Sequence, residues 1–553
     1  MKKYFLLLIL CSLSIISFGQ IEESQAIDSV FTEWNKADAP GCALGIIKNG
    51  KLIYAKGYGM ANLEYEIPIT PTTIFDIASL SKQFTGFAVA KLLEQKQISL
   101  DDDIRQYIPE LPDFGHTITI DHLLHHTSGI RDWPGTLSLA GLRMDDVLSY
   151  DRILTMAFNQ KELNFKPGSE YSYSNTGYNL LAELVQRVTG ESFRKWTDNN
   201  IFKPLEMSNT HFHDDHTEII KNKANGYYFD DDGKFHAAPN SLTAIGSSSL
   251  YTTIDDLAKW VKNMDNPIVG GKSVIDLMFQ QGILNNGDQI SYAFGLSIDK
   301  YHGLKRISHS GSWASFSTYL AYFPEFQLSI IVLFNTPANS FRIAHDIADI
   351  YLEEYYTDSE IIKNETQVYK NLKVKQLEKF TADYWNEAGS YSRKIYVKND
   401  TLRYFRGEGN ESSLMPISNN EFQMLNVGVN LKVKFENKDK IPVMVVTIDE
   451  GDPIISEQYI PASYSKEQLI QFTGTFYSEE LSTSYTIELH EDKLVAKHMR
   501  GSNIEFKPVK EDLFTGSQWY FSTIKFDRDD THKIKGLLVS SGRVRNLLFK
   551  KVN

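Results

Sequence analysis

An apolar run from Ala43 to Lys48 meets a second strand-like run, Lys51 to Lys56, across Asn49-Gly50. Asn-Gly supplies the positive φ angles of a two-residue turn, so the pair predicts a β-hairpin. The period then changes. After Ser79, the apolar residues Leu80, Phe84, Phe87, Ala88 and Leu92 recur at helical spacing. A second helix follows Asn175, carrying Leu180, Leu181, Leu184, Val185 and Val188 before a stop at Gly190. Two more strands, Phe316 to Phe323 and Gln327 to Phe334, are joined through Pro324-Glu325-Phe326 and continue from His309-Ser310-Gly311. The stretch from Ile27 to Tyr355 thus has strands at both sequence ends and helices between. That is an α+β pattern whose terminal strands are free to share one antiparallel sheet.

The segment Tyr355 to Asn371 is polar and aperiodic, and reads as a helix end plus linker. Beyond it the texture becomes alternating strands with turn signals at Lys398-Asn399-Asp400 and Asp527 to Asp530. This region is duplicated. Leu377 to Phe380 resembles Leu469 to Phe472. Leu402 pairs with Leu494, Gly409 with Gly501, Pro416 with Pro508 and Phe422 with Phe514, all at one constant offset. Val433-Lys434-Phe435 and Ile524-Lys525-Phe526 follow one residue closer. Two copies of this size predict two small antiparallel β-barrels of lipocalin-like kind. The expected organisation is a signal peptide over 1–19, a mixed domain over 20–356, a linker over 357–374, and barrel units over 375–461 and 462–553.

Length and composition add limits. A chain of 553 residues is too long for one core, so two to four domains are expected. Its 42% hydrophobic and 23% charged residues are ordinary for a soluble globular protein. A net charge of −13 and the lack of a long basic run argue against nucleic-acid binding. Lys2 and Lys3, an apolar run from Tyr4 to Ile16, and Ser17-Phe18-Gly19 read as a secretory signal. Leu10 before Cys11 is a poor lipoprotein match, so cleavage without a membrane anchor is expected, and a periplasmic or secreted protein. Cys42 is then a single thiol, read as packed core.

Three motifs carry chemistry, in the order Ser79-Leu80-Ser81-Lys82, Tyr173-Ser174-Asn175 and His309-Ser310-Gly311. Ser79 opens a helix, and Lys82, three residues on, shares its face. A serine hydroxyl needs a nearby base to become a nucleophile. A lysine serves only if burial and positive neighbours lower its pKa. A phenol such as Tyr173 ionises more easily beside an ammonium and can then exchange a proton with the serine. The Asn175 amide can position Lys82 and bind a substrate carbonyl. Gly311 would let substrate approach the strand closely. The backbone amides of Ser79 and Ser312 could form an oxyanion hole. His309 could tune the proton shuttle or bind a substrate group; the plainer reading is a half-exposed edge-strand histidine. Plain readings of the other motifs, an N-cap serine and one of 29 tyrosines packed in a core, also stand when each is taken alone. Further S-x-x-K matches occur at Ser297, Ser463 and Ser522. His211-Phe212-His213-Asp214-Asp215-His216 fits no helix face and reads as a polar loop, so no metal site is assigned. His125-His126 reads as structural.

Together the motifs resemble the serine β-lactamase and penicillin-binding superfamily, on its AmpC-like branch, which also holds esterases and D-aminopeptidases. Phe75 to Lys82 is similar to the family's nucleophile segment, Leu123 to Gly129 to a second signature, and Gly246 to Asp256 to a third. The resemblance covers about Ile27 to Leu352. It implies Ser79 as nucleophile, Lys82 and Tyr173 as the base pair, and Asn175 as a positioning residue. Many β-lactamases and DD-peptidases carry lysine where His309 stands; a histidine there is similar to D-aminopeptidases and some esterases. The paired C-terminal units also resemble the two barrels of D-aminopeptidase, and are expected to be non-catalytic and to shape access, with Lys497 to Asn503 as the candidate gating loop. The expectation is a cofactor-free serine hydrolase acting through an acyl-enzyme on small peptides, amides or esters. A β-lactamase or DD-carboxypeptidase, and a catalytically silent recognition protein, are the alternatives. Nothing in the sequence sets an oligomeric state.

Overall fold

The computed structural model describes residues 23–552 except 231, 358–368, 388, 408–409, 426, 428–430 and 449–452. The segment read as a signal peptide, including Cys11, lies outside the described residues, as do most of the linker 357–374 and Gly409 of the repeat. The chain divides into two compact units. One holds the residues up to Ile130, Asp145–Phe158 and Phe165–Ile361; the other holds Arg131–Met144, Asn159–Asn164 and Ile362–Asn553. Among the described residues, no helix is long and apolar enough to cross a membrane.

The first unit is built on a six-stranded sheet, whose strands are numbered here in chain order. They are β1 (Cys42–Lys48), β2 (Lys51–Tyr58), β3 (Ser297–Tyr301), β4 (Leu304–Trp313), β5 (Phe316–Phe323) and β6 (Leu328–Phe334). Their order is β3–β4–β5–β6–β1–β2, every pair antiparallel. So the two sequence ends do share one sheet. Asn49 and Gly50 have φ of 53° and 68°, the turn that Asn-Gly favours, and Lys48 pairs with Lys51. β5 and β6 are buried along their whole length, which fits their mostly apolar sequences: both faces are covered. On one face Cys42, Leu44 and Ile46 pack with Ile27, Phe31, Ile343 and Ile347. On the other, a Cβ added at Gly45 would lie 2.5 Å from Ile254 Cγ2 in the helix Ile254–Asp265. Cys42 is a buried free thiol in this core.

The helix Lys82–Glu94 buries ten of its thirteen residues, including Lys82 at its start. A helix buried on nearly every side lies within a core, so its first turn is held firmly. The helix Asn175–Thr189 is capped by the Ser174 hydroxyl, which accepts from the Gly177 amide, and ends at Gly190 with φ of 72°. One segment differs from its sequence reading. His211–Phe212, expected to be loop, is a two-residue strand beside Leu250–Thr252. Phe212 is fully buried and anchors it, but a strand this short leaves almost no periodicity to read.

The second unit contains two closed eight-stranded antiparallel barrels. The first runs from Ala382–Asn386 to Ile454–Tyr459, and the second from Gly474–Ser478 to Val544–Val552. Each closes by pairing its last strand with its first, Gln458 opposite Tyr384 and Lys551 opposite Phe476. The repeat explains the fillings. Leu402 and Leu494, Phe422 and Phe514, and Val433 and Ile524 are equivalent positions, all inside. The short helix Trp133–Leu139 belongs to the same unit: Leu139 joins the second barrel's core, and Tyr485 Oη donates to the Leu139 carbonyl at 3.1 Å. Arg543 pairs with Asp132 at 3.0 Å. The loop after strand Lys493–Lys497 places His498 against Gly141, where a Cβ would meet its ring. Gly141 has φ of 86°, which glycine alone adopts without strain.

Candidate active site

The two-residue strand Phe75–Asp76 leads into a tight turn over Ala78–Ser81 that runs into the helix Lys82–Glu94. Ala78 holds φ of 48°, a conformation that strains a non-glycine residue by roughly 1–3 kcal/mol. Its amide donates to Asp76 Oδ1 at 2.8 Å. The Ile77 carbonyl accepts from Thr318 Oγ1 at 2.9 Å. The strained bend leaves Ser79 partly exposed between buried neighbours.

Lys82 is fully buried. Its Nζ donates to Ser79 Oγ at 3.1 Å, to Asn175 Oδ1 at 2.7 Å and to the Ser247 carbonyl at 2.7 Å. The S-x-x-K motif, the Tyr173-Ser174-Asn175 motif and the Gly246 to Asp256 signature meet here, and the last contributes a backbone oxygen. Nζ also lies 4.8 Å from the Tyr173 ring centroid and 5.7 Å from that of Tyr178. Of the five S-x-x-K matches, the fifth being Ser192 with Lys195, this one has both side chains on one helical turn with the lysine buried; Ser192 and Lys195 also share a turn but are both exposed. Ser297 and Lys300 sit on β3, where residues three apart face opposite sides. Ser463 and Lys466 are both exposed. Ser522 donates to the Ser540 carbonyl.

His309 is not an edge-strand residue. β4 is second in the sheet and His309 is 6% exposed. Its Nδ1 lies 2.7 Å from the Ser310 carbonyl and its Nε2 2.9 Å from Tyr292 Oη. Burial, and then the Lys82 ammonium, push its pKa down to about 3. The ring is therefore neutral: Nδ1–H donates to Ser310, and Nε2 accepts from the Tyr292 phenol. Burial also holds Tyr292 protonated by raising its pKa well above the usual value. Tyr173 lies beside this pair, its ring 6.1 Å from Tyr292 and 6.2 Å from His309.

Gly311 sits hard against the Ser79 turn. A Cβ there would lie 2.3 Å from the Ile77 carbonyl, 2.4 Å from Thr318 Oγ1 and 3.1 Å from the Ser79 amide nitrogen. The missing side chain thus admits the nucleophile turn itself to the strand, where the sequence suggested room for substrate. Ser310 and Ser312 flank it and are exposed.

From sequence His126 reads as structural, and Asn240, Trp313 and Asp76 have no assigned part in the site. His126 packs 4.3 Å from Tyr173 and 4.5 Å from Tyr292 between ring centroids, and its Nδ1 accepts from the Ser174 amide at 3.1 Å. Asn240 Nδ2 donates to Asp76 Oδ2 and Tyr251 Oη, while its Oδ1 accepts from Trp313 Nε1. That links the end of β4 to the carboxylate holding Ala78. Asp76 is fully buried, and burial raises its pKa to about 6 despite the hydrogen bonds from Ala78 and Asn240.

A sheet flanked by helices, with a buried lysine beside a helix-start serine, defines a β-lactamase-like class. The chain belongs to the Beta-lactamase family, whose model matches residues 27–352. It is 31% identical over 323 residues to Protein flp of Staphylococcus aureus (strain MRSA252), covering 57% of this chain and 63% of that protein. D-aminopeptidase of Gluconobacter oxydans (strain 621H) is 27% identical over 296 residues, 54% of this chain and 56% of that protein. Among solved structures, the octameric penicillin-binding protein homologue from Pyrococcus abyssi aligns with TM-score 0.55 at 26% identity, over 79% of this chain and 99% of that one. The D-amino acid amidase from Ochrobactrum anthropi SV3 shares the fold, with TM-score 0.51 at 21% identity over 60% of this chain and 98% of that one. The chain thus has the β-lactamase fold of a family that includes serine hydrolases, followed by two closed barrels.

Proposed function

We propose that this protein is a serine hydrolase acting through an acyl-enzyme on small amides or peptides, with D-residues among them, or on esters. The observation that carries this reading is the Lys82 ammonium, buried and bonded to Ser79 Oγ, Asn175 Oδ1 and the Ser247 carbonyl. Ser79 Oγ attacks the substrate carbonyl, and its proton passes to the Lys82–Tyr173 pair. The same pair returns a proton to the leaving amine or alkoxide, and water then cleaves the acyl-enzyme. The Ser79 and Ser312 amides would receive the oxyanion. Asn175 positions Lys82. His309 acts through Tyr292 as a positioning residue: neutral, with both ring nitrogens engaged, it offers no cation to a substrate carboxylate. This favours amides and esters over the carboxylate-bearing substrates of β-lactamases and DD-peptidases. The basic and apolar N-terminal segment supports export to the periplasm or medium.

The test is labelling with a fluorophosphonate, followed by mass spectrometry of the labelled peptide. Label on Ser79, lost in Ser79→Ala, is expected. Turnover should then be compared on D-aminoacyl amides, short-chain esters and a chromogenic cephalosporin, with the cephalosporin poorest. Label on Ser297, Ser463 or Ser522 with Ser79 clean refutes the assignment. No label and no turnover would leave a silent recognition protein.

A further inference from the structure

Away from Ser79, His211, His213 and Glu218 bring three ligand-type atoms within 4.8 Å of one another. The backbone explains how. In the strand His211–Phe212, side chains alternate, so Phe212 enters the core while His211 and His213 share the other side. The His213 amide extends the pairing by donating to the Ser249 carbonyl at 2.7 Å. Both imidazoles pack on Tyr251, with ring centroids 6.2 and 4.9 Å away.

The second observation is independent of this clustering. His211 Nε2 and His213 Nδ1 are both buried and neither has a hydrogen-bond partner. His213 is only 5% exposed. A fold rarely leaves two buried polar nitrogens facing each other unmatched. The nearest oxygen, Glu218 Oε2, is 3.6 Å from His213 Nδ1 and 3.9 Å from His211 Nε2. Those gaps are too long for hydrogen bonds. They are a few tenths of an ångström beyond the separation of about 3.3 Å between ligand atoms around a tetrahedral ion with bonds of about 2.0–2.1 Å. Glu218 is itself fixed from behind. Arg194 Nη2 donates to its Oε1 at 2.9 Å and Arg194 Nη1 to its Oε2 at 2.6 Å, and Nη1 also reaches Asp214 at 2.8 Å. Outer partners of this kind orient a ligating carboxylate.

We propose that His211 Nε2, His213 Nδ1 and Glu218 Oε2 bind one divalent transition-metal ion. Two imidazoles and one carboxylate suit zinc, with the fourth position taken by water. The ion is structural. His211 lies on the small sheet of Phe75–Asp76, Leu250–Thr252 and His211–Phe212, which leads into the Ser79 turn; His213 follows directly after that strand and Glu218 lies in the loop beyond it. From Tyr251 the connection runs through Asn240 to Asp76 and the Ala78 amide. A bound ion would stiffen the base of that turn without touching substrate.

The test uses the full chain, untagged, stripped with a chelator and dialysed. Titration with Zn²⁺ by calorimetry should show one equivalent bound, and Zn²⁺ should raise the melting temperature. Co²⁺ should give the visible bands of a tetrahedral nitrogen–oxygen site. His213→Gln and His211→Gln should each weaken binding by about 100-fold or more, at or beyond the upper end of the loss caused by removing a mere outer-shell partner. His236→Gln, at an exposed histidine paired with Asp230, should leave it unchanged. Should a histidine variant fold poorly, Glu218→Gln, at a partly exposed position, tests the third ligand. Absence of a stoichiometric site in the wild type, or binding unaffected by all three ligand substitutions, overturns the proposal. Neither result depends on hydrolase activity.

Discussion

The interior around Ser79 and the interiors of the two barrels are equally buried but filled with opposite materials. Around Ser79 the buried groups include Lys82, Asp76, His126, Tyr178, Tyr292 and His309, set among apolar neighbours such as Ile77 and Leu80. Inside the barrels they are residues such as Leu402, Phe422 and Val433, repeated as Leu494, Phe514 and Ile524. Burying an ionisable group is unfavourable unless hydrogen bonds compensate, so a fold concentrates such groups where it has a use for them. The compensation is visible: three acceptors for Lys82, two donors for Asp76, and a donor and an acceptor for His309. The apolar residues that fill the barrels need none. They lower free energy by leaving water, and the duplicated pattern records that repeated packing requirement.

The largest effects should separate the two interiors. Lys82→Ala and Tyr173→Phe should each lower turnover by roughly a hundredfold or more. Their double variant should fall little further, because groups acting as a unit are not additive. Multiplied losses would mean that they do not share one shuttle. Phe514→Ala, in the second barrel, should instead cost about 3–5 kcal/mol of stability, read by denaturant unfolding. Its turnover per labelled serine below the transition should match the wild type. Phe422→Ala, at the equivalent position of the first barrel, should behave likewise. A barrel-core variant that changed turnover per site would break the contrast.

A smaller effect is expected at Gly311, where the strand touches the Ser79 turn. Gly311→Ala forces a methyl group to 2.3 Å from the Ile77 carbonyl. Overpacking of this kind costs about 1–3 kcal/mol, and the shift falls on the turn that aims Ser79. Turnover should drop with stability, and kcat more than KM. A variant with normal kcat would show that the strand yields without moving the serine.

How legible each part was depends on how far apart in sequence its pieces lie. Ser79 and Lys82 are one helical turn apart, so spacing alone places them together, and the resemblance of Tyr173-Ser174-Asn175 supplied the third piece. The hairpin at Asn49-Gly50 and the helix stop at Gly190 were readable because one residue type answers one backbone conformation. The barrels were readable from their repeat. Tyr292 was not, since nothing marks it among 29 tyrosines until β4 brings His309 to it. Asp76, Asn240 and Trp313 meet only through the folded sheet. His211 and His213 were read as loop because a two-residue strand has no measurable period. That Trp133–Leu139 packs with the second barrel was equally hidden, because apolar helix residues do not say which core receives them.

The smallest expected effect is a change of slope with pH. Asp76 has a folded pKa of about 6, against 3.8 for the free side chain. Between those values the folded state binds its proton more tightly than the unfolded state. Its contribution to stability is therefore full below about pH 4 and lost as pH rises through 6. His309 runs the other way, with a folded pKa of about 3 against 6.5 unfolded. Its contribution is full above pH 6.5 and lost as pH falls toward 3. From pH 4 to 6 the two oppose each other. Asp76→Asn keeps an oxygen for the Ala78 amide but removes the titration, so the His309 slope is no longer offset. The melting temperature of the variant should fall more steeply on acidification from pH 6.5 to 4 than that of the wild type. A lost hydrogen bond to Asn240 would add only a pH-independent offset, so the slope is the quantity to measure. Among the described residues, the buried polar groups on the barrel strands are Asn386, Ser412, Ser456, Ser478, Thr523, Ser540 and Ser541, none of which titrates in this range. The change of slope should therefore appear in the transition of the first unit, and parallel curves for variant and wild type would show that Asp76 keeps its charge throughout.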